Sequence, residues 1–233
     1  MTPGRFKLLA ILTLVLGMAT FGFVPRQQPG QDRAPSPSAP VIEVLIQDNL
    51  VPAVNNELEG LRNMIRSLPQ GSRVLTAYIT SGSLAVTQDF TSDRSRAAAS
   101  VRVLRGVGAR PYSPFVALSE GLRRFDSQPQ GRRVVLLISD GLDSSRGFEV
   151  ANPASSPSLD RSIQDARRRQ VAVFSIFAPE IAPVGPNRVG SLLGTGSLKR
   201  LANETGGRTY GGGMSVVNFS PYLRDFRNSL GAR

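Results

Sequence analysis

Asp140 and Asp143 close the stretch RRVVLLISDGLDSS, Arg132 to Ser145, in which five apolar residues run straight into Ser139-Asp140-Gly141. A carboxylate at such a point can hold a hard cation, act as an acid or base, or cap backbone N–H groups where a strand meets solvent. A second carboxylate, Asp48, stands in Gln47-Asp48-Asn49, directly after the run VIEVLI at Val41 to Ile46. The chain has neither cysteine nor histidine. That removes thiolate nucleophiles, Ser-His-Asp devices and every zinc site built on sulfur or imidazole. Acid–base chemistry would rest on Asp, Glu, Tyr or Lys, and Lys occurs only at positions 7 and 199.

The elements that must position these groups alternate between strand and helix. Val41 to Ile46 reads as a short strand. Pro52 to Leu68 has apolar residues at helical spacing, with a proline at its entry. Ser72 to Thr80 and Ser83 to Phe90 read as strands joined by the two-residue turn Ser81-Gly82, hence an antiparallel hairpin. A helix capped by Thr91 or Ser92 follows, then one over Ser113 to Phe125 with Ser113 as cap and Pro114 at its first position. Arg133 to Ser139 and Val171 to Phe177 are apolar without alternation, the pattern of strands buried on both faces. Ser158 to Gln170 reads as a helix, and so do the stretch from Thr195 to the Gly206-Gly207 stop and the stretch from Asn218 to Leu230. Ala178 to Gly196, rich in Pro and Gly, reads as a long loop. The expectation is an α/β fold: a doubly wound, mostly parallel sheet with one antiparallel strand and helices on both faces. In such sheets ligands sit beyond the carboxyl ends of the strands, where Asp48 and Asp140 both fall.

Ahead of this region, residues 1–25 carry Arg5 and Lys7 before an uncharged apolar run from Leu8 to Val24, the pattern of an export signal. No clean small-x-small cleavage site stands out, so a cleaved signal peptide and an uncleaved anchor both remain open. Either places the remainder outside the cytoplasm. Residues 26–40 form a Pro- and Ser-rich tether able to span on the order of 40 Å in extended form. Residues 41–233 form the folded domain. The formal charge is +11, almost all of the basic residues being arginine. Such a surface suits anionic partners, but export argues against nucleic acid and no aromatic–basic interleaving is present.

The order of elements resembles that of a von Willebrand factor type A domain, within its exported bacterial subset. The likeness rests on VVLLISDGLDSS, on SRVLTAYITSG followed by TQDFTSDR, and on LKRLANETGGRTY. It implies a six-stranded sheet and protein–protein adhesion at a metal-ion-dependent site. That site takes Asp-x-Ser-x-Ser after the first strand, a Thr from a middle loop and an Asp after the fourth strand. Asp140 matches directly, and Ser113 could stand in for the Thr. The first position falls on Gln47, giving Gln-x-Asn-x-Val, or on Asp48, giving Asp-x-Leu-x-Pro; neither supplies the hydroxyl pair. The resemblance therefore implies a degenerate centre in which Asp48, Ser113 and Asp140 hold Mg²⁺ or Mn²⁺ weakly or hold no metal.

The reading is a non-enzymatic module that docks an envelope or secreted protein through a rim of Gln47, Asp48, Asn49, Ser113, Asp140, Asp143 and Ser144. Membrane contact comes through the N-terminal segment if it is uncleaved. Two enzymatic alternatives fit less well. An aspartate-nucleophile phosphatase needs an acid where Leu50 stands, and a two-carboxylate glycosidase using Asp140 and Asp143 has no support from the fold.

Overall fold

The computed structural model describes residues 39–106, 112–145, 151–180, 187–212 and 218–231. The described residues all fall within one compact unit, Ser36–Arg233. The expected export segment and most of the tether lie outside the described residues. Ala39 and Pro40, the tether's last two positions, already belong to the fold, for Arg73 donates its backbone N–H to the Pro40 carbonyl at 3.1 Å.

Six strands form one sheet: β1 (Val41–Gln47), β2 (Arg73–Thr80), β3 (Ser83–Thr91), β4 (Arg133–Ser139), β5 (Val171–Phe177) and β6 (Thr209–Tyr210). Their spatial order is β3-β2-β1-β4-β5-β6, and only β3 runs antiparallel. The central strands are buried along their whole length, whereas β3 alternates between exposed and half-buried positions as an edge strand does.

Parity along β1 divides the core. Ile42, Val44 and Ile46 face a layer formed by α1 (Leu58–Arg66), α2 (Arg94–Ala99) and α6 (Ser220–Gly231). Val41 and Leu45 face a layer formed by α3 (Pro114–Arg124), α4 (Pro157–Arg168) and α5 (Asn187–Thr205). Phe219, just before α6, and Leu223, Phe226 and Leu230 within it are buried, and the Phe226 ring meets Phe174 edge-on at 5.3 Å.

Several boundaries differ from expectation for local reasons. Residues Pro52–Glu57 form a 3-10 turn, and the α-helix begins only at Leu58. α2 is shorter and is capped by Asp93, whose carboxylate accepts from Arg96 N–H at 2.9 Å, not by Thr91 or Ser92. It stops because the Tyr78 hydroxyl takes both backbone groups of Arg102, accepting from its N–H and donating to its carbonyl at 2.7 Å. α4 starts earlier than Ser158 because Ser156 caps it, accepting from Leu159 N–H, and Pro157 supplies the preset first position.

The largest correction is α5, which begins at Asn187 inside the expected loop. Its glycines serve close packing. A Cβ on Gly194 would fall 1.9 Å from the Asp140 carbonyl oxygen, and one on Gly141 would fall 2.4 Å from that of Gly194. Gly141 also has φ +68°. Here a glycine pair lets a helix lie against a strand end.

Candidate functional site

The carboxyl edge of the sheet carries three polar groupings, and the expected site residues are divided among them. The first is built on Gln47, the last residue of β1. Its Oε1 accepts from the Ser139 hydroxyl at 2.6 Å and from the Asp140 backbone N–H at 3.2 Å. A backbone N–H can only donate, so the orientation of the amide is fixed. The Nε2 group then donates to Asn49 Oδ1 at 3.0 Å and to the Tyr112 hydroxyl at 2.9 Å. Tyr112 in turn donates to Asn49 Oδ1, and Asn49 Nδ2 donates to Glu180 at 2.8 Å. Gln47, Asn49, Tyr112, Ser139 and Asp140 are all buried. Of the two first positions left open by the sequence, it is Gln47, followed by Asn49 and Val51, that faces Ser139 and Asp140.

Asp48 belongs to a second grouping. Its carboxylate takes both guanidinium nitrogens of Arg102, at 2.9 and 2.7 Å, and the Arg105 backbone N–H at 2.9 Å. Burial opposes its ionisation, but the Arg102 hydrogen bond, the Arg105 N–H, the Arg102 charge and the Thr80 hydroxyl outweigh it and hold the carboxyl below its ordinary 3.8. Arg102 also lies over the Tyr78 ring at 3.8 Å.

Asp143 centres the third. It accepts from the Ser145 hydroxyl at 2.7 Å, from Ser145 N–H, and from the hydroxyls of Ser156 and Ser158. Burial pushes its carboxyl up, and the Ser156, Ser158 and Ser145 donors overcome that, leaving it below the ordinary range. Ser113 joins this grouping through Ser158 at 2.9 Å while capping α3 by accepting from Phe115 N–H. Ser144 is a clasp: its N–H and hydroxyl both donate to the Tyr112 carbonyl, at 2.9 and 3.0 Å. Asp140 accepts from Leu142 N–H at 2.9 Å, the turn that reverses the chain after β4.

Asp48, Ser113 and Asp140, the three candidate metal ligands, thus have different partners and do not form one oxygen cage. Among the described residues no group of three acidic side chains could hold a metal ion. The donor set does not fit a Mg²⁺ or Mn²⁺ centre either. At the first ligand position stands a neutral amide whose oxygen already accepts two hydrogen bonds and whose nitrogen turns donors toward Asn49 and Tyr112. Of the groups that close this site, Arg102, Ser156 and Ser158 were not singled out from the sequence. Their partners lie far along the chain or behind a loop, and no local spacing announces them.

Four large hydrophobic residues are exposed among the described residues: Val103, Val116, Val189 and Leu192. All lie at this edge. Val103 follows the Asp48 partner Arg102. Val116 is in the first turn of α3, three residues after its cap. Val189 and Leu192 are in the first turns of α5, beside the Gly194–Asp140 contact. Several arginines behind the high positive charge are engaged within the fold. Arg124 pairs with Asp89, Arg168 with Asp165, Arg169 with Asp126 and Asp165, and Arg133 donates to the carbonyls of Gln128 and Pro129. Among the described residues no helix is long and apolar enough to cross a membrane.

No protein-family model matches the chain, and no curated protein matches it in sequence. Solved structures do match. BatB from Bacteroides thetaiotaomicron is similar at 16% identity over 83% of this chain and 97% of its own, with a TM-score of 0.59. The vWF domain of the type V pili tip protein Mfa5 from Porphyromonas gingivalis is similar at 11% identity over 84% of this chain and 96% of its own, with a TM-score of 0.59. An aerotolerance-related membrane protein from Bacteroides fragilis is similar at 14% identity over 84% of this chain and all of its own, with a TM-score of 0.55. With its six-stranded sheet of one antiparallel and five parallel strands, the chain folds as a von Willebrand factor type A-like domain.

Proposed function

We propose that the chain is an exported, non-enzymatic docking module that binds a protein partner at the carboxyl edge of its sheet without a metal ion. The observation that carries this reading is the conjunction at one edge. An amide–phenol network of Gln47, Asn49 and Tyr112 lies at the ends of β1 and β4, and the exposed apolar residues Val103, Val116, Val189 and Leu192 belong to segments that reach the same edge. Apolar side chains exposed together on one rim mark an interaction surface. The similar structures named for a pilus tip protein and a membrane protein are in keeping with an envelope location, as is the N-terminal segment 1–25, read as a signal peptide or anchor on the tether 26–40. Among the described residues the Asp48 carboxylate is paired with Arg102 and that of Asp143 is enclosed by serine hydroxyls, so neither is held ready as a base. That supports binding over catalysis.

A photo-crosslinking side chain placed at Leu192 or Val103, in cells that make the protein, tests the reading. It predicts a discrete protein adduct from both positions. None is expected from Arg66, exposed at the far end of α1. Adducts from Arg66 alone, or none from the rim, would remove the docking face from this edge.

A further inference from the structure

A hollow of about 320 Å³ opens beside the rim between α3 and α4. Val116, Ser119 and Arg123, at i, i+3 and i+7 on α3, form one wall. Ser158 and Arg161, at i and i+3 on α4, form the other, and Ser145 closes one end. The helices approach closely through small residues. Ser113 meets Ser158 at 2.9 Å, Ser119 meets Ser162 at 3.0 Å, and Ser162 donates to the Phe115 carbonyl. Arg123 and Arg161 are left at the surface and have neither a hydrogen bond nor an ion pair among the described residues, unlike Arg124 and Arg169 on the same two helices and their ends.

The hydroxyls lining the hollow are already committed. Ser145 and Ser158 donate to Asp143, and Ser119 can donate only to Ser162, which spends its own proton on Phe115. The two guanidinium groups are thus the free donors, and planar guanidinium forks match carboxylates in bidentate geometry. The Asp143 charge behind the serines opposes a dianionic phosphoryl group more than a single carboxylate. Val116, 45% exposed, supplies an apolar neighbour at the mouth. We infer that this hollow binds the side-chain carboxylate of an acidic partner segment, held by Arg123 and Arg161 with an apolar residue of that segment against Val116. The inference deepens the reading of the edge as a docking face by giving its partner a charge.

The test titrates the ¹⁵N-labelled unit from Ser36 onward, which holds both hydrophobic cores, with a blocked peptide of alternating glutamate and leucine. A glutamine-for-glutamate version and inorganic phosphate are the comparisons. The expected result is a set of amide shifts confined to Ser119, Arg123, Ser145 and Ser158. The dissociation constant should be on the order of 1 mM, the scale that two charge-assisted hydrogen bonds support. Binding should weaken at least tenfold in Arg123→Gln/Arg161→Gln and remain unchanged in Arg227→Gln, an exposed arginine on α6. Equal loss in Arg227→Gln, equal binding of the glutamine peptide, or no saturable shift would overturn the inference. So would tighter binding of inorganic phosphate than of the peptide. Any of these results leaves the crosslinking test of the apolar rim standing, and a failed crosslink at Leu192 leaves this titration standing.

Discussion

Replacing Glu43 by glutamine should stabilise the protein increasingly as pH rises. Glu43 sits in the middle of β1, between Leu75 of β2 and Val135 of β4, and is fully buried. Neither of its carboxyl oxygens has a hydrogen-bond partner among the described residues. It fits only because α3 presents Gly121 to it; a Cβ there would lie 2.0 Å from Oε1. Burial pushes the carboxyl from its ordinary 4.5 up to about 8, and the Arg124 charge offsets this only in part. The folded chain therefore keeps a proton that the unfolded chain gives up. The protonated acid's contribution is fully present below pH 4.5 and is lost progressively as pH climbs from 4.5 to about 8. At about 1.36 kcal/mol per pH unit, this span amounts to about 5 kcal/mol as an upper bound. Urea unfolding of the wild type and of Glu43→Gln at half-unit steps from pH 4 to 9 measures it. The two stability curves should run parallel near pH 4, diverge above 4.5 and level off near 8. Parallel curves over the whole range would show that Glu43 finds a partner or water when ionised, and would refute the account of its burial.

Other perturbations address the edge of the sheet. Tyr112→Phe removes the hydroxyl that serves Gln47 and Asn49, leaves buried amide groups short of a partner, and should cost about 1–3 kcal/mol in chemical denaturation. Asp48→Asn breaks the ion pair with the partly exposed Arg102, and about 2 kcal/mol should be lost at pH 7. Because the Asp48 carboxyl is held below 3.8, that difference should be present above about pH 4 and shrink as pH falls through its folded value, which acid titration of both proteins reads. Gly194→Ala puts a methyl group against the Asp140 carbonyl. The overpacking cost of about 1–3 kcal/mol should exceed the gain in helix propensity of about 1 kcal/mol and lower the melting temperature.

The mostly parallel sheet with one antiparallel strand was legible because β4 and β5 are apolar without alternation and the Ser81-Gly82 turn admits only an antiparallel neighbour. Ser113-Pro114 marked the start of α3 because cap and proline act locally. Where a residue's role is set by a distant partner, the sequence is silent. Glu43 lies inside an apolar run and looks like any strand residue until Gly121 is seen above it. Glycines 190, 194 and 196 read as loop by composition, yet the first two face Leu142 and Asp140 and the third faces Pro153 where α5 packs. Asp48 and Asp140 both stand at strand ends, as expected. One residue of register nevertheless separates Gln47, which reaches Ser139, from Asp48, which turns to Arg102. A side-chain period of two sends adjacent residues to opposite faces, and only the fold shows which faces the site.

We propose that the amide–phenol network of Gln47, Asn49 and Tyr112 takes the place of a metal centre. Thermal unfolding of the unit from Ser36 onward, in chelator and then in Mg²⁺ or Mn²⁺ at about 10 mM, tests it directly. The account predicts the same midpoint in each and no difference between wild type and Asp140→Asn in their response to metal. Metal at 100 times its dissociation constant adds about 2.7 kcal/mol, enough to raise the midpoint by several degrees. A rise of that size in the wild type that vanishes in Asp140→Asn would contradict the account.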